Sequence, residues 1–362
     1  MADLFVGSEN DSYYLLGHHV QSASVTSLFR GTASPDIDTN FSQNGVGPYN
    51  NAHLVIDIAG TTELWFHCLV NFRGNSTTAL FVPIKFIDTA SGAFPGQVVA
   101  QLDPDLGVAP YNGTSVFDLE YWDGAAFQAC AGRGADRRSI RFATGCRQKI
   151  DIHIKIDNVA GWFRFYVDGV LRQEFTGDTL NAGYTQINRI ILHTNVSPDL
   201  GSASATVYTE VIVSQDDTRG RRVANLEPTA DGANTAWGGA IAEINDDALR
   251  DTEFISSTTA NQVETYVTSD LSAVADNLYV MSIVTNARAK IGNLGTGPQN
   301  LQHVVRSNSV DYFSANVTRP NGGALDARTG PTQAIWLVDP NTSAAWATAA
   351  VNAMQIGVKS IA

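Results

Sequence analysis

The chain has 362 residues, 44 % of them hydrophobic and 16 % charged, with a formal net charge of −13. An acidic surface repels phosphate backbones, so nucleic acid is not an expected partner. No run approaches the roughly 18 apolar residues of a membrane helix, so membrane insertion is not expected either. Plentiful Gly, Ser, Thr, Asn and Ala beside few Lys and Glu favour strands and turns over helices, and the length admits two cores.

The opening MADLFVGSENDSYY has no positive stretch followed by an apolar core, so no signal peptide is expected and the product is placed in the cytoplasm of the cell that makes it. Short strands LFVG, SVTSLFRG and HLVIDIAG surround a polar loop, Thr32–Asn51. Thr62–Phe72 and Ala79–Asp88, joined by a turn at 73–76, are apolar at nearly every position, as strands covered on both faces are. Val98–Leu102, Val116–Trp122 and Phe127–Cys130 follow at intervals of about ten residues, the rhythm of a sandwich.

The stretch Lys149–Asp178 gives the clearest pattern. Ile150, Ile152, Ile154 and Ile156 alternate with Asp151, His153, Lys155 and Asp157, a period of two with one buried and one wet face. Phe163, Phe165 and Val167 then take one side, and Trp162, Arg164 and Tyr166 the other. Asp168-Gly169 supplies the positive φ that a tight hairpin needs. Ile187–Thr194 and Ala205–Val213 close the unit, with Val207, Val211 and Val213 expected inside and Tyr208 and Glu210 outside. Cys68, Cys130 and Cys146 read as small buried thiols in preference to a Cys130–Cys146 pair.

Periodicity fades over Asp216–Trp237, which reads as a structured connector. The division is therefore 1–215, a connector 216–240, and a smaller unit 241–362. In that unit Asn277–Asn286, Leu301–Arg306, Ser309–Val317, Ala334–Val338 and Gln355–Ile361 read as strands. Ser343–Met354 reads as a helix capped by Asn341 or Thr342.

Two resemblances follow from these stretches. GWFRFYVDGVLRQEFTG resembles the hairpin of concanavalin A-like (laminin G-like) jelly rolls, sandwiches used by lectins, some glucanases and adhesive modules. DTEFISSTTANQVETYVTSDL, then VTNARAK, then WLVDPNTSAAWATAAVNAMQIGVKSI resembles, in the order of its phrases, the C-terminal half of a family of tailed-bacteriophage virion proteins. The link RVANLEPTADGANTAW is also similar to that family's, while Ser343 and Ala344 depart from its usual Gly and variable residue. Together these imply an all-β chain, a concanavalin A-like jelly-roll sandwich followed by a smaller β domain with one short C-terminal helix. They imply a structural, non-enzymatic virion component of the tail, baseplate or fibre. Its partners would be other virion proteins, further copies of itself in a homo-oligomer, and a host-surface glycan. A capsid decoration protein is the other setting.

Chemistry leaves fewer traces. A retaining glycosidase needs two carboxyls about 5–5.5 Å apart. Asp118 and Glu120 share a strand face at i, i+2, but read more simply as solvated neighbours. Asp103, Asp105, Asp216, Asp217, Asp246 and Asp247 could supply Ca²⁺ oxygens, yet no D-x-D-x-D-G loop is present. No cofactor is expected. His18 and His19 are adjacent, so a strand would point them apart, and no zinc motif occurs. There is no G-x-S-x-G elbow, and the Gly292, Gly295, Gly297 loop lacks the P-loop lysine. Sugars stack on exposed rings, so Tyr121, Trp122, Trp162, Arg164 and Tyr166 are the candidate platform for a glycan or a protein partner. Core packing is the alternative for each.

Overall fold

The computed structural model describes residues 3–7, 14–16, 30–31, 34–35, 37–38, 53–73, 84–91, 96–104, 114–132, 141–143, 148–180, 183–193, 205–224, 226–244, 254–271, 279–287, 289, 297–318 and 332–362. Their regular structure is strand throughout, apart from the helix Thr348–Ala353 and a 3-10 turn at Ile241–Glu243. No helix among them is long and apolar enough to cross a membrane. The chain forms two compact units, Met1–Val223 and Ala224–Ala362. The segment read as a connector is shared between them: residues 216–223 belong to the first unit, and Pro228–Thr235 is an edge strand of the second.

The first unit is a jelly-roll sandwich of two antiparallel sheets. One sheet runs Asp3–Gly7, Ala205–Ser214, Glu63–Arg73, Gln148–Lys155, Gly161–Val167, Val170–Gly177, Ala131–Gly132. The other runs Phe127–Ala129, Thr114–Trp122, Gln97–Pro104, Ile84–Asp88, Ile187–His193, His53–Thr61, Tyr14–Leu16. Between them lie Phe66, Ile152, Ile154, Phe163 and Phe165 from the first sheet and Ile84, Phe86, Leu102, Leu119 and Ile190 from the second, all fully buried. Each such side chain gains about 1.5–3 kcal/mol by leaving water.

Ile150, Ile152 and Ile154 enter the core as expected, but the opposite face of Gln148–Lys155 is not wet: Asp151 and His153 are buried as well. Asp168 and Gly169 adopt φ of 50° and 77° in the hairpin turn. Before it, Asp157 Oδ1 accepts the Val159 and Ala160 N–H groups at 2.9 Å each and shapes the other turn. Two expectations are corrected, the first being Glu210, expected outside but only 4 % exposed and paired with Arg222. Tyr208 is fully buried in the core, on the same side as Val211 and Val213. A bulge between Thr209 and Ile212, with Glu210 at φ 52°, inserts one residue and shifts the alternation. Cys68 and Cys130 are buried free thiols whose pKa values burial pushes up. Cys146 lies outside the described residues, as do His18, His19, most of the loop 32–51, Asp105, Asp246, Asp247, Gly292 and Gly295.

The second unit is a sheet ordered Pro228–Thr235, Val263–Thr268, Gln355–Ile361, Asn300–Ser307, Val310–Phe313, with a separate ribbon of Ile283–Ala287 and Thr332–Trp336. Val305, Trp346, Val351 and Met354 form its core. The helix is shorter than the sequence suggests. It starts after Ala347 with no side-chain cap, because Ser343 sits at φ 57° and the Trp346 indole N–H donates to Trp336 C=O at 2.8 Å. Asn341 and Thr342 serve a loop: Asp339 Oδ1 accepts the Asn341 N–H at 3.0 Å, and Asp339 C=O accepts the Ser343 N–H at 2.8 Å.

Two substitutions test the two cores. Ile152→Ala should cost about 2–5 kcal/mol in chemical denaturation. Gly357→Ala would place a Cβ 1.9 Å from the Glu264 carbonyl oxygen, a backbone atom that cannot yield. It should disorder the pairing of Gln355–Ile361 with Val263–Thr268, read as faster amide exchange in both strands.

Candidate functional site

The outward face of the first sheet carries a ladder of rings. Cross-strand register places His153 opposite both Trp65 and Arg164, and Lys155 opposite Trp162. His153 stacks on Trp65 with centroids 3.9 Å apart and meets Trp162 edge-on at 5.2 Å. Trp65 in turn meets Tyr166 at 5.6 Å. The Trp162 indole N–H donates to His153 Nδ1 at 3.1 Å, and His153 Nε2 lies 3.0 Å from Glu63 Oε1. That pairing fits a neutral ring protonated on Nε2. The His153 pKa is pushed down to about 4, chiefly by burial, with Glu63 opposing and Arg164 assisting.

Cations line these rings. Lys155 Nζ and the Arg164 guanidinium stand 4.7 and 4.6 Å from the Trp162 centroid, and Arg219 lies 5.2 Å from Trp65 and 4.8 Å from Tyr166. Each cation has a carboxylate: Arg164 with Glu174 at 2.7 Å, Arg219 with Asp217 at 2.6 Å, Lys155 with Asp157 at 3.8 Å. Beneath them the His67–Asp151 pair is fully buried at 2.8 Å, and Thr218 Oγ1 donates to the same Asp151 oxygen at 2.9 Å.

The five platform residues expected from sequence do not assemble as one surface. Trp162, Arg164 and Tyr166 share the outward face, but Tyr166 is only 7 % exposed. Tyr121 is half-buried and turned toward the core, stacked on Phe163 at 5.1 Å and Phe175 at 4.3 Å. Trp122 packs against the core, edge-on to Phe127 at 5.2 Å, and its carbonyl accepts the Tyr184 hydroxyl. Trp65, His153 and Glu63 are the residues that sequence reading missed. Glu63 and Trp65 lie in a strand whose facing only the register reveals, and His153, though its side of the strand was legible, meets them only through that register.

The second sheet presents a separate polar strip. Asp118 stands directly across from Asp103, Glu120 across from Gln101, and Gln101 across from Lys85. Gln101 Nε2 donates to Glu120 at 2.9 Å, and Gln173 Nε2 donates to Asp118. Asp118 and Glu120 are therefore both engaged. The Asp103 carboxyl is pushed up to about 6, first by burial, then by Glu120, with Lys85 partly opposing and Asp118 adding to the rise. Among the described residues, no group of three His, Cys, Asp or Glu side chains is arranged to hold a metal.

A carboxyl raised in the fold favours the folded state most at low pH and loses that advantage as pH climbs from about 3.8 through about 6. Asp103→Asn should therefore raise Tm at pH 7.5 by about 1–3 °C, after allowance for its partial exposure. The gain should vanish below pH 4 in a calorimetric pH series.

No known family profile matches the chain, and no curated protein matches it by sequence. Solved structures match part of the chain at low identity. The structure of alginate lyase Aly36B is 16 % identical, over 49 % of this chain and 77 % of that one, with a TM-score of 0.29. The Emp47p carbohydrate recognition domain is 11 % identical, over 51 % and 84 %, at 0.32. The CBM2 module of the evolved Dit of Lactobacillus casei BL23 phage J-1 is 15 % identical, over 45 % and 68 %, at 0.28. Scores this low carry no functional inference.

Proposed function

We propose that the chain is a non-enzymatic structural component of a tailed-phage virion, in the tail, baseplate or fibre, whose jelly roll attaches to host-surface glycan. The phrase order of residues 251–361 supports the virion setting. The observation that supports attachment is Trp162: a half-buried ring on an outward sheet face, bordered by Lys155, Arg164 and Glu174. A sugar stacks its C–H face on such a ring and bonds its hydroxyls to the charged groups beside it. To do so it must displace a cation, at about 0.5–1 kcal/mol for an exposed contact. A homo-oligomer would repeat the face and multiply a weak single contact.

The Asp103, Asp118 and Glu120 strip is read here as structural. Asp103 is raised in the manner of a proton donor, but its two neighbouring carboxylates already accept hydrogen bonds from glutamines.

Three outcomes test this reading. Trp162→Ala, with near-ultraviolet circular dichroism unchanged, should weaken binding to the best partner on a bacterial glycan array by roughly tenfold or more; equal binding would sink the platform. Incubation with the same glycan should release no reducing sugar, and release abolished by Asp103→Asn or Glu120→Gln would make the chain an enzyme. Immunogold microscopy with antibodies to each unit should label the tail, whereas label across the capsid would make it a decoration protein.

A further inference from the structure

Residues 215–223 carry the chain out of the last strand of the first sheet and over that sheet's outward face. The Asp216 N–H and Arg221 Nη1 both donate to Ser214 Oγ, at 3.1 and 3.2 Å. The Arg221 N–H donates to Thr218 C=O at 3.0 Å and closes a β-turn, in which Gly220 takes φ +89° with open space around it. At the far end Arg222 grips the buried Glu210 carboxylate with two hydrogen bonds of 2.7 Å. Between these anchors the turn touches the face beneath it. Thr218, fully buried, donates to Asp151, and Arg219 covers Trp65 and Tyr166.

Two features make this resting position easy to leave. Among the described residues, the buried His67 Nε2 and Asp151 Oδ2 meet no hydrogen-bond partner, and such groups cost about 1–3 kcal/mol each. Raising the turn would uncover the Asp151 carboxylate on which Thr218 sits and let it take up water. The charge of Arg219 is met by Asp217 on the same turn through three hydrogen bonds, so the ion pair travels as a unit and strands no charge behind it.

We infer that the turn 216–221 is a latch over the Trp65–Tyr166 end of the ring ladder, and that lifting it lengthens the binding face from one sugar ring at Trp162 to an oligosaccharide laid along Trp162, Trp65 and Tyr166. This inference rests on the reading of that face as glycan-binding. Closed, only the Trp162 end is open to a ligand, because Trp65 and Tyr166 are each 7 % exposed. Arg219 holds the place over both rings that a sugar would take.

Hydrogen exchange on the whole chain, without glycan, tests the latch. Thr218→Val removes one hydrogen bond to a carboxylate and should speed amide exchange at 217–221 about tenfold or more. Exchange in Gln148–Lys155 should stay slow. Arg219→Ala, a change at a half-exposed side chain, should speed the same amides and raise acrylamide quenching of tryptophan emission. Exchange at 217–221 as slow as in Gln148–Lys155, in the native chain and in Arg219→Ala alike, overturns the latch. Binding of acid-released bacterial polysaccharide fragments of six to ten sugars forms the second arm. Arg219→Ala should tighten these more than it tightens single sugars. Faster exchange with no fragment bound by either protein overturns the glycan reading, and the gating with it, but not the motion of the turn.

Discussion

Both faces of the first sheet depend on one pairing, that of Gln148–Lys155 between Glu63–Arg73 and Gly161–Val167. In this register Ile152 meets Phe66 and Phe165 on the inside, while Asp151 meets His67 and Tyr166 on the outside. A slip of one residue would exchange the two faces, sending Asp151 and His153 into the core and Ile150, Ile152 and Ile154 out of it. The apolar penalty against that slip therefore fixes the ring ladder as firmly as it fixes the core. The site needs no separate device to hold its geometry.

Much of this was legible in the isoleucine alternation and in Asp168-Gly169, because period two and a positive-φ turn are local signals. The outward placement of Trp162 and Arg164 followed from the same pattern. Trp65 and His67 did not, since their strand is apolar at nearly every position and alternation is silent there. Tyr121 was misplaced because its facing depends on which sheet covers it. Arg219 was invisible as a site residue: its contact with Tyr166 joins distant parts of the chain with no periodicity between them. The Asn308-Ser309 hairpin, at φ 48° and 68°, also lacks the glycine that marks such turns.

The charge balance of the ladder bears on the proposed attachment. Lys155, Arg164 and Arg219 are each matched by a nearby carboxylate, although the chain as a whole carries −13. Little long-range attraction is left for an anion, and what there is falls off within about 8–10 Å at ordinary salt. Selection on this face must come from ring shape and from directional hydrogen bonds. These change little with ionic strength.

The bulge at Glu210 has a consequence for how this strand can be edited. Two residues, Glu210 and Val211, stand against the single Cys68, while Thr209 pairs with Leu69 and Ile212 with His67. Without Glu210 the strand would alternate regularly, with Tyr208, Val211 and Val213 still inside. Glu210 is thus supernumerary to the sandwich, and its carboxylate serves Arg222 in the exit segment. A single-codon deletion here would leave the barrel of contacts between the sheets threaded as before and cut only the tether of the segment that leaves it.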